Sequence, residues 1–247
     1  MDARNLSSET FEEQGYRIVP GLMGEDDLRN IELGIETVCR RDPALFQPGD
    51  LFFAGRSRVI QQIEHLERYS PYFVNLMKKE RRILDLVEPV FDDEMVCENV
   101  SYMAKPPRIG AVVPWHQDNA YYFLKPDHAL TVWVALDDST PENGCLRVIA
   151  GSHKRGLVPH GPTGVRGISY GVAEPIDPVR DREFAIHLRR GDASLHHCST
   201  YHSSHPNRSD KARRGLVMFY RAVHCRIDAE AANRYRKVRD AMLTPAR

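Results

Sequence analysis

The sequence predicts a mainly β protein, an antiparallel sandwich or barrel flanked by α-helices. Three observations lead there. From Met95 onward the chain is a series of short β-rich runs separated by turn residues. Two stretches with apolar residues at helical spacing precede that region, and a charged helical stretch follows it. A His-x-Asp triplet, His116-Gln117-Asp118, ends one β-rich run, and a histidine-rich segment follows some eighty residues later. A double-stranded β-helix, the jelly-roll or cupin-like core, accommodates all three, because it brings its second and seventh strands together at one open end.

Taken in order, residues 24–39 begin with Glu25, Asp26 and Asp27 and carry Leu28, Ile31, Ile35 and Val38 on one stripe, an amphipathic helix. Residues 72–87 repeat the pattern and predict a second helix. Strands are expected at 96–104, 111–116, 130–136, 145–148, 184–188, 193–195 and 216–223. Glu142-Asn143-Gly144 and Gly151-Ser152-His153 read as turns set by Gly and Asn conformations. Residues 229–242 predict a charged helix packed outside the core.

Composition narrows the function classes. A β-rich chain of 247 residues with 42% hydrophobic content is expected to form a single domain over 1–247, since no linker, repeat or low-complexity run divides it. Lys plus Arg equal Asp plus Glu at 34 each, so the broad basic field that nucleic-acid binding needs is missing. Residues 1–10 are polar, and no apolar stretch approaches membrane-spanning length. The five cysteines are scattered and lack a C-x-x-C pair, which reads as reduced thiols in a cytoplasmic protein. The expected partner is a small-molecule substrate, with no nucleic acid and no membrane; the pattern sets no oligomeric state.

Residues i and i+2 of a strand share a face about 7 Å apart, so His116 and Asp118 can converge on one metal ion. A third ligand from a distant strand would complete a two-histidine, one-carboxylate triad. That set leaves one face of an octahedral Fe(II) open to a chelating co-substrate and O2. The distant segment offers His196, His197, His202 and His205; on a regular strand His196 and His202 share a face and His197 takes the other. Zinc in a hydrolase suits the same donors, although no HExxH helix is present. A non-oxidative cupin-like binding protein or isomerase is a further alternative.

Residues 105–118, 130–138, 142–153 and 191–213, with an opening strand and turn at 11–23, resemble the phytanoyl-CoA dioxygenase family of Fe(II)/2-oxoglutarate oxygenases. The resemblance runs in the family's order from about residue 11 to about residue 224. It implies Fe(II), 2-oxoglutarate and O2 as cofactor and co-substrates, and hydroxylation of a C–H bond with release of succinate and CO2. It selects His202, ahead of the Ser-x-x-Asn pattern, as the distal ligand, and leaves His205 as a solvent-facing turn residue. It places the far carboxylate of 2-oxoglutarate on Arg213, eleven residues past His202; a guanidinium suits a carboxylate because it is permanently charged and bidentate. Arg214 is the alternative anchor; on an extended strand it would point the other way, and it otherwise reads as a solvated charge.

The resemblance further implies co-substrate contacts at Asn99, Thr131, Trp133 and Ser204, with core packing an equal reading for Trp133. Asp118 argues for hydroxylation, because halogenating relatives carry a small residue there. The rim is expected from residues 119–125, with Asn119, Tyr121 and Tyr122 as substrate contacts, and from 154–182, with His160, Arg166 and Tyr170. That lining favours a small polar or anionic metabolite over a long acyl thioester.

Overall fold

The computed structural model describes residues 8–165, 168–177 and 179–243. The chain opens with α1 (Ser8–Gln14), so the expected strand over 11–23 shrinks to β1 (Tyr16–Val19). Next comes α2 (Glu25–Cys39), which buries Leu28, Ile31, Ile35 and Val38 as its stripe requires. After β2 (Leu51–Phe53) and β3 (Ile60–Ile63), the expected helix over 72–87 is two helices, α3 (Pro71–Lys79) and α4 (Arg81–Phe91). Glu80 breaks them: its backbone leaves helical geometry at ψ 85°, and its carboxylate accepts from Arg82 N–H to cap α4. The apolar spacing runs on across the break, so periodicity alone reads as one helix.

The β-rich region comprises β4 (Met95–Lys105), β5 (Val113–His116), the short α5 (Asn119–Tyr122), β6 (Leu124–Lys125), β7 (Ala129–Ala135) and β8 (Leu146–Ile149). It continues with β9 (His160–Val165), β10 (Ile168–Val172), β11 (Glu183–Ala185), β12 (Ala193–His197), β13 (His202–Ser204), β14 (Arg213–Ala222) and β15 (Arg226–Ile227), before α6 (Ala229–Leu243). The long connection over 154–182 is therefore largely a hairpin, β9 against β10. Arg166 lies outside the described residues.

Among the described residues two principal sheets form, both antiparallel: β1-β12-β7-β14-β4-β3-β2 and β11-β8-β13-β5. Strand alternation divides the core in two. Leu130, Val132 and Val134 of β7, with Leu216, Met218 and Tyr220 of β14, face α2, α3 and α4, where Ile31, Phe73, Ile83 and Val87 meet them. The intervening Trp133 and Ala135 face the second sheet and pack on Leu146, Val148, Ile186 and Leu188. Each such aliphatic or aromatic burial contributes roughly 1.5–3 kcal/mol. Beyond Trp133 the inter-sheet space opens into a cavity of about 450 Å³ lined by both sheets. Among the described residues no helix is long and apolar enough to cross a membrane.

Candidate active site

Strand pairing brings two of the expected ligands together. His202 of β13 is the register partner of His116 of β5, and their rings lie 4.0 Å apart between centroids. Each imidazole donates its Nδ1–H to the carbonyl two residues earlier, His116 to Pro114 (2.8 Å) and His202 to Thr200 (3.0 Å). That bond fixes the tautomer and leaves the Nε2 lone pair free for a ligand. Both Nε2 atoms approach Asp118 Oδ1, at 3.9 Å for His116 and 3.4 Å for His202. One ligand atom from each of the three lies within 4.8 Å of the others.

Asp118 reaches this point from outside the strand. β5 ends at His116, and Asp118 has turned to φ −59°, ψ −37°, at the head of α5. The expectation that His116 and Asp118 alternate on one strand is therefore corrected. Gln117 makes the turn: its buried side chain donates to the carbonyls of Gly156 and Ser199 and accepts from Val158 N–H, while its own N–H donates to His160 Nε2. His160 thus holds the ligand loop and does not line the cavity.

The second oxygen of Asp118 is occupied separately. Thr131 donates its hydroxyl to Oδ2, and His196 Nε2 stands 3.3 Å from the same atom. Burial alone would raise the Asp118 pKa, but the charge of His202 and the hydrogen bonds of His196 and His202 bring it well below the usual carboxylate range. Burial drives His116 down to about 3, with His202 adding to the effect. For His202 burial is the largest single influence and acts downward, but the Asp118 charge and the hydrogen bonds to Asp118 and Thr200 together carry the net shift upward. The cluster is a buried carboxylate seeking positive charge. His197 lies elsewhere, accepting from Ser199 N–H at Nδ1 and packing edge-on against Phe91, which removes the alternative distal position.

At the other end of the cavity Arg213 and Lys105 are register partners on β14 and β4. Arg213 is 5% exposed and forms no ion pair among the described residues; its Nε is unbonded, and its guanidinium carbon sits 5.0 Å from the centre of the Trp133 ring. Burial lowers it to about 10. Burial and then the Arg213 charge push the Lys105 ammonium down to about 6, and Lys105 donates to the Ala111 carbonyl. Arg214 is engaged otherwise: it binds Asp137 at 2.7 Å and Glu32 at 2.8 Å, so it is an ion-pair anchor for α2 where a solvated charge was expected. Ser204 and Trp133 line the cavity, and Trp133 also belongs to the inter-sheet core.

On the remaining side, Asn99 lines the cavity with its amide between the Tyr122 hydroxyl (3.4 Å) and Glu64 (3.5 Å). Tyr121 and Tyr122 line it too; Tyr122 stacks on Phe219 at 3.7 Å. Asn119 does not. Its side chain closes the 119–124 turn on both backbone groups of Leu124, so its expected substrate contact is corrected. Of the 154–182 segment, Val165 reaches the cavity wall, whereas Tyr170 packs on Tyr235 outside it. His205 is exposed, as expected. Sequence reasoning passed over Lys105, His196 and Glu64 as site residues. For His196 the shared face with His202 was a signal; for Glu64 no local signal exists, because it comes from outside the motif region.

This arrangement sits in a fold shared with solved 2-oxoglutarate oxygenases. EvdO2 of Micromonospora carbonacea var. aurantiaca, crystallised with 2-oxoglutarate, superposes with a TM-score of 0.69 at 26% identity over 90% of this chain and 91% of that one. The class is that of 2-oxoglutarate-dependent non-haem dioxygenases. Residues 11–215 match the family model described as phytanoyl-CoA dioxygenase (PhyH), and the chain belongs to that family. The probable alpha-ketoglutarate-dependent hypophosphite dioxygenase of Stutzerimonas stutzeri is 28% identical over 204 residues, 80% of this chain and 69% of that protein. A phytanoyl-CoA dioxygenase of Arabidopsis thaliana is 38% identical over 176 residues, 70% of this chain and 58% of that protein.

Proposed function

We propose that this protein uses Fe(II) and 2-oxoglutarate to hydroxylate a C–H bond of a small, polar metabolite, with release of succinate and CO2. The observation that carries the reading is the convergence of two histidine Nε2 atoms and one carboxylate oxygen on a cavity that also holds a buried guanidinium with no ion pair among the described residues. We also infer that the two sheets are the halves of a double-stranded β-helix. The chain passes back and forth between them through β4, β5, β7, β8, β11, β12, β13 and β14, and β5 and β13 are the second and seventh of that series.

The donor set fits the metal. His116, Asp118 and His202 would hold Fe(II), whose two histidine lone pairs are already oriented by Nδ1–H bonds to backbone carbonyls. Iron with 2-oxoglutarate supplies the activation of dioxygen, which no side chain can perform. The residues of the chain do the rest. Thr131 holds Asp118 Oδ2, with His196 beside it, so that Oδ1 faces His116 and His202. Arg213 receives the far carboxylate of the co-substrate, and Ser204, Thr131, Trp133 and Asn99 complete its walls. The packed inter-sheet core beneath excludes water. A zinc hydrolase or a non-oxidative binding protein has no use for Arg213, and keeping a buried cation unpaired costs stability.

The test is succinate formation from 2-oxoglutarate by anaerobically iron-loaded protein exposed to O2. Alanine at His116, Asp118 or His202 should abolish Fe(II) binding and succinate, while His197→Ala retains both. Turnover with zinc alone, or loss at His197 with retention at His202, refutes the assignment.

A further inference from the structure

We propose that the substrate is a small organic cation, an amine or a quaternary ammonium, and that Glu64 is the residue that selects it; this rests on the oxygenase reading above. Glu64 follows β3, and its backbone N–H is tied to the Asp50 carbonyl at 2.8 Å, which points the side chain along the cavity wall. The carboxylate accepts from Gln62 Nε2, from the Ser101 hydroxyl and, at 3.5 Å, from Asn99 Nδ2. All three donors are neutral. Two carboxylate oxygens offer about four lone-pair positions, so the donors leave one open and the charge unneutralised.

The neighbouring acids differ in this respect. Asp50 is paired with Arg68, and Glu67 with His65, whereas Glu64 has no ion-pair partner among the described residues. A partly buried carboxylate held by neutral groups against a cavity is stabilised by whatever cation enters.

Register sets Glu64 apart from the cationic pair. Lys105 pairs with Arg213, while Asn99 pairs with Phe219, which in turn pairs with Thr131, the residue holding Asp118. Asn99 and Lys105 are six residues apart on β4, roughly 20 Å along the strand. Glu64 bonds Ser101 and Asn99, four and six residues before Lys105, so it sits at the level of Val217 and Phe219, between the Arg213 pair and Thr131. Arg213 and Lys105 are the lysine and arginine side chains of the described lining, and the co-substrate dianion uses them. An anionic substrate would meet Glu64 with no further lysine or arginine to offset it. Tyr121, Tyr122 and Tyr235 line the same cavity, and aromatic rings attract organic cations. A volume of about 450 Å³ accommodates 2-oxoglutarate together with one small molecule.

The test compares choline with dimethylbutanol, its uncharged carbon isostere, together with putrescine and the anion methylphosphonate. Binding is measured by calorimetry on oxygen-free protein loaded with Fe(II) and 2-oxoglutarate. Choline or putrescine should bind at least roughly tenfold tighter than dimethylbutanol, and Glu64→Gln should erase that margin while Glu64→Asp keeps part of it. Binding of both cations no tighter than that of dimethylbutanol, tighter binding of methylphosphonate, or no binding by either cation overturns the proposal. So does a Glu64→Gln variant that loses 2-oxoglutarate affinity, because Glu64 then belongs to the co-substrate. Failure of the oxygenase reading is seen separately, as wild-type holoprotein that forms no succinate from 2-oxoglutarate with any additive.

Discussion

Replacing Arg213 by methionine tests whether its guanidinium is held in readiness for an anion. The group is buried with no ion pair among the described residues, and burial lowers its pKa from 12.5 to about 10. That difference corresponds to about 3 kcal/mol of uncompensated desolvation. The arginine is charged in both folded and unfolded chains at every pH below about 10, so the cost is present throughout the neutral range. Methionine keeps an apolar side chain beside Trp133 and removes the charge that lies over its ring. Ligand-free Arg213→Met should therefore melt no lower than wild type, and higher by roughly 2–4 °C for each kcal/mol recovered. Binding should change in the opposite sense: losing the partner of a buried carboxylate costs about 2–4 kcal/mol, or roughly 30- to 800-fold in 2-oxoglutarate affinity. Thermal melting and calorimetry with 2-oxoglutarate read the two effects independently. Arg214→Met is the control, expected to cost stability of about 1 kcal/mol or less through its pairs with Asp137 and Glu32, and to leave 2-oxoglutarate binding alone. A lower melting temperature for Arg213→Met with unchanged 2-oxoglutarate affinity, or the affinity loss appearing in Arg214→Met, refutes the reasoning.

Gly215 lies against the face of Trp133, where an added Cβ would come within 2.1 Å of the indole. Gly215→Ala should cost about 1–3 kcal/mol and weaken 2-oxoglutarate binding by shifting the ring under Arg213; wild-type melting and affinity would count against that packing. Lys105 gives a pH dependence. Its folded pKa of about 6 lies below the ordinary 10.5, so between those values the unfolded chain binds a proton that the folded chain lacks. Stability from this group is full above about 10.5 and is lost as pH falls through about 6; Lys105→Met should flatten the slope of unfolding free energy against pH in that window. An anion placed beside Arg213 favours the charged ammonium, so 2-oxoglutarate binding near pH 8 should take up a proton, seen as a buffer-dependent binding enthalpy. Absence of uptake removes Lys105 from the co-substrate end.

Much of the frame was legible because it depends on local periodicity. The alternation of Leu130, Thr131, Val132, Trp133 and Val134 assigns a strand with two apolar faces, and the stripe of α2 assigns a helix. The break at Glu80 was hidden because the apolar spacing of α3 continues in phase into α4, and the interruption is made by a carboxylate turning back onto Arg82. Asp118 left its strand for an equally non-local reason: the residues that hold Gln117 come from 156, 158, 160 and 199.

By itself, then, the sequence determined which residue types recur at strand and helix spacing, and it carried the order of motifs in which His116, Asp118, His202 and Arg213 stand out. It could not decide between His202 and His197 by chemistry, since both are histidines in one short segment, nor between Arg213 and Arg214. The tertiary structure distinguishes the members of each pair by their partners. His202 pairs in register with His116 while His197 is committed to Ser199, and Arg214 is neutralised by Asp137 and Glu32 while Arg213 is left buried and unpaired. A side chain's role depends on its field and its burial, which are sums over neighbours distant in sequence, and those neighbours exist only once the two sheets have closed on each other.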